Sequence, residues 1–221
     1  MNKTFSGWRA GLPFYAPTVF AGLLLCILLY ATPYVWSGVG IVVLGIAMAL
    51  FFRDFPREIT ASENEVVAPA DGRIVAIENL DETPFYDGPC QRISIFLSLF
   101  DAHINRAPFS GKITAIKYKP GLFKDARKPE TTNVNESNAV WLETVRGAMT
   151  VRQISGAVAR RIICPAEVGM SLEKGEKFGM IRFGSRTELY LSPDFEIRVR
   201  LNEKVKAGTS IVAAYIKYET K

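Results

Sequence analysis

Three residues have types suited to chemistry: a serine behind a glycine, a single histidine, and an aspartate in a turn. The stretch "GMIRFGSRTELYL", Gly179 to Leu191, holds the one Gly-Ser dipeptide in the sequence. Apolar and polar residues roughly alternate around it, as in a strand interrupted at Gly184-Ser185-Arg186. Such an interruption suits a hairpin turn. It equally suits a scissile bond, in which the Ser185 hydroxyl attacks the Gly184 carbonyl. A glycine before the serine lets the backbone take a strained turn and lets the hydroxyl approach.

His103, in "FDAHINRAP", is the single histidine of the sequence. A lone histidine is more often structural than catalytic. It cannot build a histidine-rich metal site, but it can move a proton near neutral pH. Asp71 sits in "PADG", where aspartate before glycine is ordinary turn chemistry. Arg106 reads as a surface charge or as an anion contact. Cys26, Cys90 and Cys164 are far apart, with no C-x-x-C spacing, so neither a disulfide framework nor a zinc site is expected. No metal is expected at all.

These residues need elements to hold them. No charged residue occurs from Ala10 through Phe52. That run is too long for one untilted span of about 20 residues and suits two. Pro33 in "ATPYVWSG" marks the break, giving a helical hairpin over roughly 13–31 and 34–52. Gly38, Gly40 and Gly45 offer a close approach of the second helix to the first. A cleaved signal peptide would have a far shorter apolar core. Arg9, Arg53 and Arg57 flank the run, so both ends are expected on the cytoplasmic side. The layout is then a cytoplasmic segment 1–12, a membrane hairpin 13–52 and a domain 53–221 facing the cytoplasm at the inner membrane. The net charge of +5 suits an anionic partner. Beside a membrane segment that partner is a lipid surface, and no nucleic-acid motif is present.

The domain reads as mainly β, a barrel or sandwich with short helices at most. Strands are expected within 66–78, 92–100 and 111–119, a hairpin around Arg146-Gly147, and further strands to the end. Residues 120–138 read as a long polar loop.

Several stretches, in order, carry a family resemblance: "FFRDFPREI", "VVAPADGRI", "ISIFLSLFDAHINRAPFSG", "PGLFKDA", "VRQISGAVARRI" and "KGEKFGMIRFGSR". From Phe51 onward the chain resembles phosphatidylserine decarboxylases in the short form of bacteria and archaea. The resemblance implies a proenzyme that cuts itself between Gly184 and Ser185. Ser185 attacks the Gly184 carbonyl to give an ester. β-Elimination frees the Gly184 carboxyl, and the dehydroalanine left behind hydrolyses to a pyruvoyl group and ammonia. The implied activity is decarboxylation of phosphatidylserine to phosphatidylethanolamine and carbon dioxide, through a Schiff base with that pyruvoyl group. The implied assembly is a heterodimer of the products 1–184 and 185–221, alone or within a higher oligomer.

In long-form relatives an Asp-His pair activates the serine, and Asp71 falls on that aspartate. Long forms carry two histidines three residues apart. His103 falls on the first, and Arg106 falls on the second, the one assigned to self-cleavage. Arginine is a poor base, which leaves three readings. His103 serves the cleavage, Asp71 acts without a histidine, or Arg106 stabilises the oxyanion while another group takes the proton. Its position assigns His103 to decarboxylation, protonating Cα after carbon dioxide leaves. Arg106, Arg182 and Arg186 are candidates for binding the headgroup.

Two other functions compete. "LSPDFEIRVRLNEKVKAGTSIVA" resembles the strand-turn-strand of biotinyl and lipoyl carriers, which share barrel-sandwich-hybrid architecture, so a membrane-anchored, non-catalytic β domain is the alternative. It lacks a modifiable lysine in a Met-Lys-Met-like turn. A pyruvoyl enzyme for a soluble amino acid would leave the membrane hairpin unexplained.

Overall fold

The computed structural model describes residues 5–157, 161–182 and 184–216. Residues 6–55 form one compact unit, and the chain from Pro56 onward forms a second.

The first unit is two helices, α1 (Gly7–Leu28) and α2 (Val35–Phe51). Helix α1 begins six residues before the expected position and carries Pro13 and Pro17 inside it. Its first backbone N–H, on Gly7, would lack a helical partner. It donates to the Asp54 carboxylate at 3.0 Å, while the Trp8 indole donates to the Asp54 carbonyl at 3.2 Å. That clasp lets the helix start early. Helix α1 is long and apolar enough to cross a membrane, whereas α2, at 17 residues, is shorter.

The helices meet through small residues. A Cβ on Gly38 would lie 2.7 Å from the Cys26 backbone nitrogen, and one on Gly22 would lie 2.7 Å from that of Val42. Gly45 meets the Val19 backbone nitrogen in the same way, at 3.0 Å. Gly40 does not belong to this seam, contrary to expectation, because a Cβ there meets nothing within 4 Å.

The second unit is mainly β. Its strands are β1 (Glu65–Val67), β2 (Gly72–Leu80), β3 (Cys90–Leu97), β4 (Ile104–Arg106), β5 (Gly111–Lys119), β6 (Ser137–Thr144) and β7 (Gly147–Ile154). They continue as β8 (Ile162–Ile163), β9 (Ser171–Leu172), β10 (Lys177–Ile181), β11 (Ser185–Leu191), β12 (Phe195–Ile197), β13 (Lys204–Val205) and β14 (Ile211–Tyr215). An eight-stranded sheet, ordered β13-β2-β3-β11-β7-β6-β5-β9, curls around the core. Two three-stranded sheets, β1-β14-β12 and β4-β10-β8, complete the unit.

The core lies inside the curl. Ile74, Ile93, Ile95, Val151, Leu189 and Leu191 are fully buried there against Phe178, Phe195 and Val212. Residues alternate between faces along each strand, so the apolar residues of β3, β7 and β11 line one surface. The expected strand over 92–100 ends at Leu97, because Ser98 to Asp101 form a turn in which the Asp101 carboxylate accepts from the Ser98 N–H at 2.9 Å. The loop before β6 is long, as expected, and carries one turn of 3₁₀ helix at Pro129–Thr131.

The helix seam is directly testable. Gly38→Val should destabilise the hairpin by about 1–3 kcal/mol, the usual cost of overpacking. Gly40→Val, facing open space, should leave it unchanged. Thermal unfolding of the two variants in the same detergent reads the difference.

Candidate active site

Strands β10 and β11 are neighbours in sequence but do not pair with each other. Strand β10 lies between β4 and β8 in one sheet, and β11 lies between β3 and β7 in another. The connection through Gly184 is therefore a crossing from sheet to sheet, and the hairpin reading is excluded. Ser185 opens β11 and pairs with Leu97, and the next residue, Arg186, pairs with Ile154 on the other side.

Ser185 is fully buried. Among the described residues its hydroxyl has no hydrogen-bond partner. An unsatisfied buried hydroxyl costs about 1–3 kcal/mol, so its retention calls for a reason. Gly184 has φ +48°, in the left-handed region. A Cβ on Gly184 would meet nothing within 4 Å, whereas a Cβ on Gly156 would collide with the Gly184 carbonyl oxygen. The glycine packed against the Gly184–Ser185 bond is therefore Gly156, just past the end of β7.

His103 is fully buried immediately before β4. Its carbonyl accepts from the Ile181 N–H at 3.2 Å, which sets it against the end of β10 that leads to Gly184. Two residues on, the buried Asn105 donates to Thr187 at 3.0 Å and accepts from Gln153 at 2.9 Å. Asn138 donates to Gln153 at 3.0 Å. This amide chain ties β4, β6, β7 and β11 together beneath Ser185. Sequence reasoning missed it. Its one signal was an uncharged polar residue at an inward position on each strand.

Arg106 lies at the other end of β4, and its guanidinium donates to the Gly175 carbonyl at 2.8 Å. Both carboxylate oxygens of Asp71 are held by Arg57, at 2.5 and 2.7 Å, and one also accepts from the Ala207 N–H at 2.7 Å. The same turn offers the Pro69 carbonyl to the Arg106 N–H at 3.0 Å. Asp71 thus fixes a turn on which β4 rests. Arg182 is half-buried, two residues before Gly184. Burial, and then the neighbouring Arg161 charge, hold its pKa below the usual guanidinium range.

A family model for phosphatidylserine decarboxylase matches residues 44–213. The chain belongs to the phosphatidylserine decarboxylase family. It is 39% identical to the phosphatidylserine decarboxylase proenzyme of Geotalea uraniireducens over 212 residues, 96% of this chain and 97% of that protein. It is 39% identical to the proenzyme of Cupriavidus pinatubonensis over 93% of each chain. With the proenzyme of Magnetococcus marinus it shares 44% identity over 161 residues, 72% of this chain and 74% of that one.

The outward face of β11 in this decarboxylase is polar yet closed. Arg186, Glu188 and Tyr190 alternate with the core residues, and all three are buried. Glu188 accepts from Tyr190 at 2.7 Å and from Arg152 at 3.3 Å. Arg92 and Arg186 each stand 3.9 Å from its other oxygen. The Arg152 guanidinium also lies 4.1 Å over the Phe85 ring and donates to the Thr132 carbonyl at 2.8 Å. Arg186 donates to the Thr132 hydroxyl at 2.9 Å, and burial lowers its pKa against the pull of Glu188. Among its described contacts, Arg186 fastens the 120–136 loop beside Ser185.

Glu188 compensates three guanidinium groups, two of them buried. Removing one partner of a buried ion pair costs about 3–5 kcal/mol. Glu188→Ala should therefore lower stability by about that amount in urea unfolding, and an unchanged midpoint would show that the arginines are neutralised elsewhere.

Proposed function

We propose that this phosphatidylserine decarboxylase cuts its own chain between Gly184 and Ser185 and that residue 185 becomes a pyruvoyl group. The observation that carries the reading is the buried Ser185 hydroxyl, without a partner among the described residues, directly behind a left-handed glycine. This residue fits the role: it is fully enclosed, and water would compete with the attack in an open site. A pyruvoyl carbonyl supplies the electron sink that decarboxylation of an amino acid requires.

The chain's own residues do the rest. The Ser185 oxygen attacks the Gly184 carbonyl carbon, and the main chain of Gly156 limits where that carbonyl can sit. Because β10 and β11 belong to different sheets and do not pair with each other, a cut between them leaves each strand held by its own neighbours. Products 1–184 and 185–221 then stay together as a heterodimer. His103 delivers the proton that replaces carbon dioxide on the substrate Cα. Asp71 acts as a positioning residue, through the turn that supports β4. Arg182 and Arg161 present paired positive charge to the anionic headgroup. The apolar helices hold the enzyme at the membrane, with the positive flanks Arg9, Arg53 and Arg57 on the cytoplasmic side.

Denaturing gels test the cleavage. Wild type should run as two fragments and Ser185→Ala as one intact chain. Gly156→Ala should slow cutting by about 10²-fold, the effect of misplacing a reacting atom by about 1 Å. Gly184→Ala meets open space and should lose only the left-handed preference, about 1–2 kcal/mol. A small fragment from Ser185→Ala would overturn the mechanism.

His103→Ala should still cut, and its turnover per pyruvoyl group should fall by about 10²–10⁴-fold, the usual worth of general acid catalysis. Turnover and the pyruvoyl count are to be taken from one sample. A folded but uncut His103→Ala chain would reassign the histidine to Ser185.

A further inference from the structure

The end of the large sheet where Ser185 lies exposes two pairs of adjacent bulky apolar side chains, Leu99-Phe100 and Leu122-Phe123. Leu97, the partner of Ser185, is followed after Ser98 by Leu99 and Phe100, and Phe100 is 88% exposed. The segment then returns to His103, whose carbonyl holds Ile181. The Leu99-Phe100 tip therefore spans the two strands that flank Gly184. On the β7 side, Leu122 and Phe123 form a second exposed tip. That tip is held close to the bond. The Asn135 side chain accepts from the Lys124 N–H at 2.9 Å and donates to the Lys124 and Ser155 carbonyls, both at 2.8 Å. Ala126 lies 3.3 Å from the Cβ position of Gly156.

The charge around these tips is mostly positive. Lys124, Arg127, Lys128 and Arg161 are exposed there. Of the acidic neighbours, Asp125 pairs with Arg127 at 2.6 Å, so that pair adds no net charge; Asp101 accepts from the Ser98 N–H and hydroxyl, and Glu130 is exposed, against the cations Lys124, Lys128 and Arg161. Apolar tips set among cations match one partner chemistry, an anionic bilayer: acyl chains for the aromatic rings and headgroups for the bases. Two apolar loops on an aqueous face would gain nothing from exposure.

We propose that Leu99-Phe100 and Leu122-Phe123 form a rim that dips into the anionic lipid surface on either side of the Gly184–Ser185 bond. A phosphatidylserine headgroup then reaches residue 185 without its acyl chains leaving the bilayer. The proposal rests on the reading that the lipid reacts at residue 185. It can nevertheless be tested without the chemistry, because Ser185→Ala retains the same rim.

The experiment uses the full chain in phosphatidylserine-containing vesicles, with a photoreactive benzophenone amino acid at position 100 or position 123. Illumination should yield a diacyl lipid adduct at both positions, in the Ser185→Ala background as well. Position 145 is the control. Val145 is 87% exposed but lies in the β6–β7 turn, at the opposite end of the sheet, and should give no lipid adduct. Equal capture at 145, no lipid capture at 100 and 123, or capture of a second copy of the chain would each overturn the proposal.

Activity gives an independent reading. Phe100→Ser combined with Phe123→Ser should reduce turnover on vesicles by roughly 10²-fold, as expected from losing the burial of two such side chains. Turnover on phosphatidylserine with six-carbon chains, dispersed as monomers, should stay within about twofold of wild type. Equal losses on both lipids would make the tips part of the internal architecture, and no loss on vesicles would remove their role. A wild-type chain that forms the adducts but never cuts would overturn the pyruvoyl reading and leave the rim standing.

Discussion

The site depends on one constraint: the chain crosses between two sheets at Gly184. Strand β10 is fixed by β4 and β8 on one side of the crossing, and β11 by β3 and β7 on the other. A hairpin turn could relax by sliding its register. A crossing clamped at both ends cannot, so Gly184 keeps its left-handed φ and Ser185 keeps its hydroxyl buried. Local strain of this kind persists only where the surroundings over-determine it.

Two buried polar systems make that clamp rigid, one on each face of β11. Inward, the Asn138–Gln153–Asn105–Thr187 chain joins four strands, and its amides spend their donors and acceptors on each other. Outward, Glu188 gathers Arg92, Arg152 and Arg186 beneath Phe85 and the 120–136 loop. Buried polar groups are costly unless satisfied, and when satisfied they specify one arrangement. All seven residues of β11 are buried, Leu189 and Leu191 in the apolar core and Arg186, Thr187, Glu188 and Tyr190 in these polar systems. The burial of residue 185 thus draws on many residues outside its own strand.

A direct Asp-His-Ser relay would need Asp71 in contact with the histidine. The described contacts of Asp71 run to Arg57 and Ala207, and those of Arg106 to Gly175. Both residues support β4, and β4 follows His103. The aspartate of the Pro-Ala-Asp-Gly turn thus fixes the turn whose Pro69 carbonyl holds the Arg106 N–H of β4.

Much was legible in the sequence because it depends on local pattern. The charge-free run to Phe52 requires an apolar helical unit, alternation requires strands, and the ordered motifs around Ser185 mark the family. Local pattern does not say which strands pair. Gly184-Ser185 looked like an interruption within one strand, and only the tertiary structure made it a crossing between two sheets. Gly156 looked like any glycine after a strand, and Gly40 looked like Gly38. Their difference lies in which backbone stands opposite them, across separations in sequence that no periodicity encodes. Residue types fixed what chemistry could occur at Ser185, and long-range packing decided which atoms hold that residue to it.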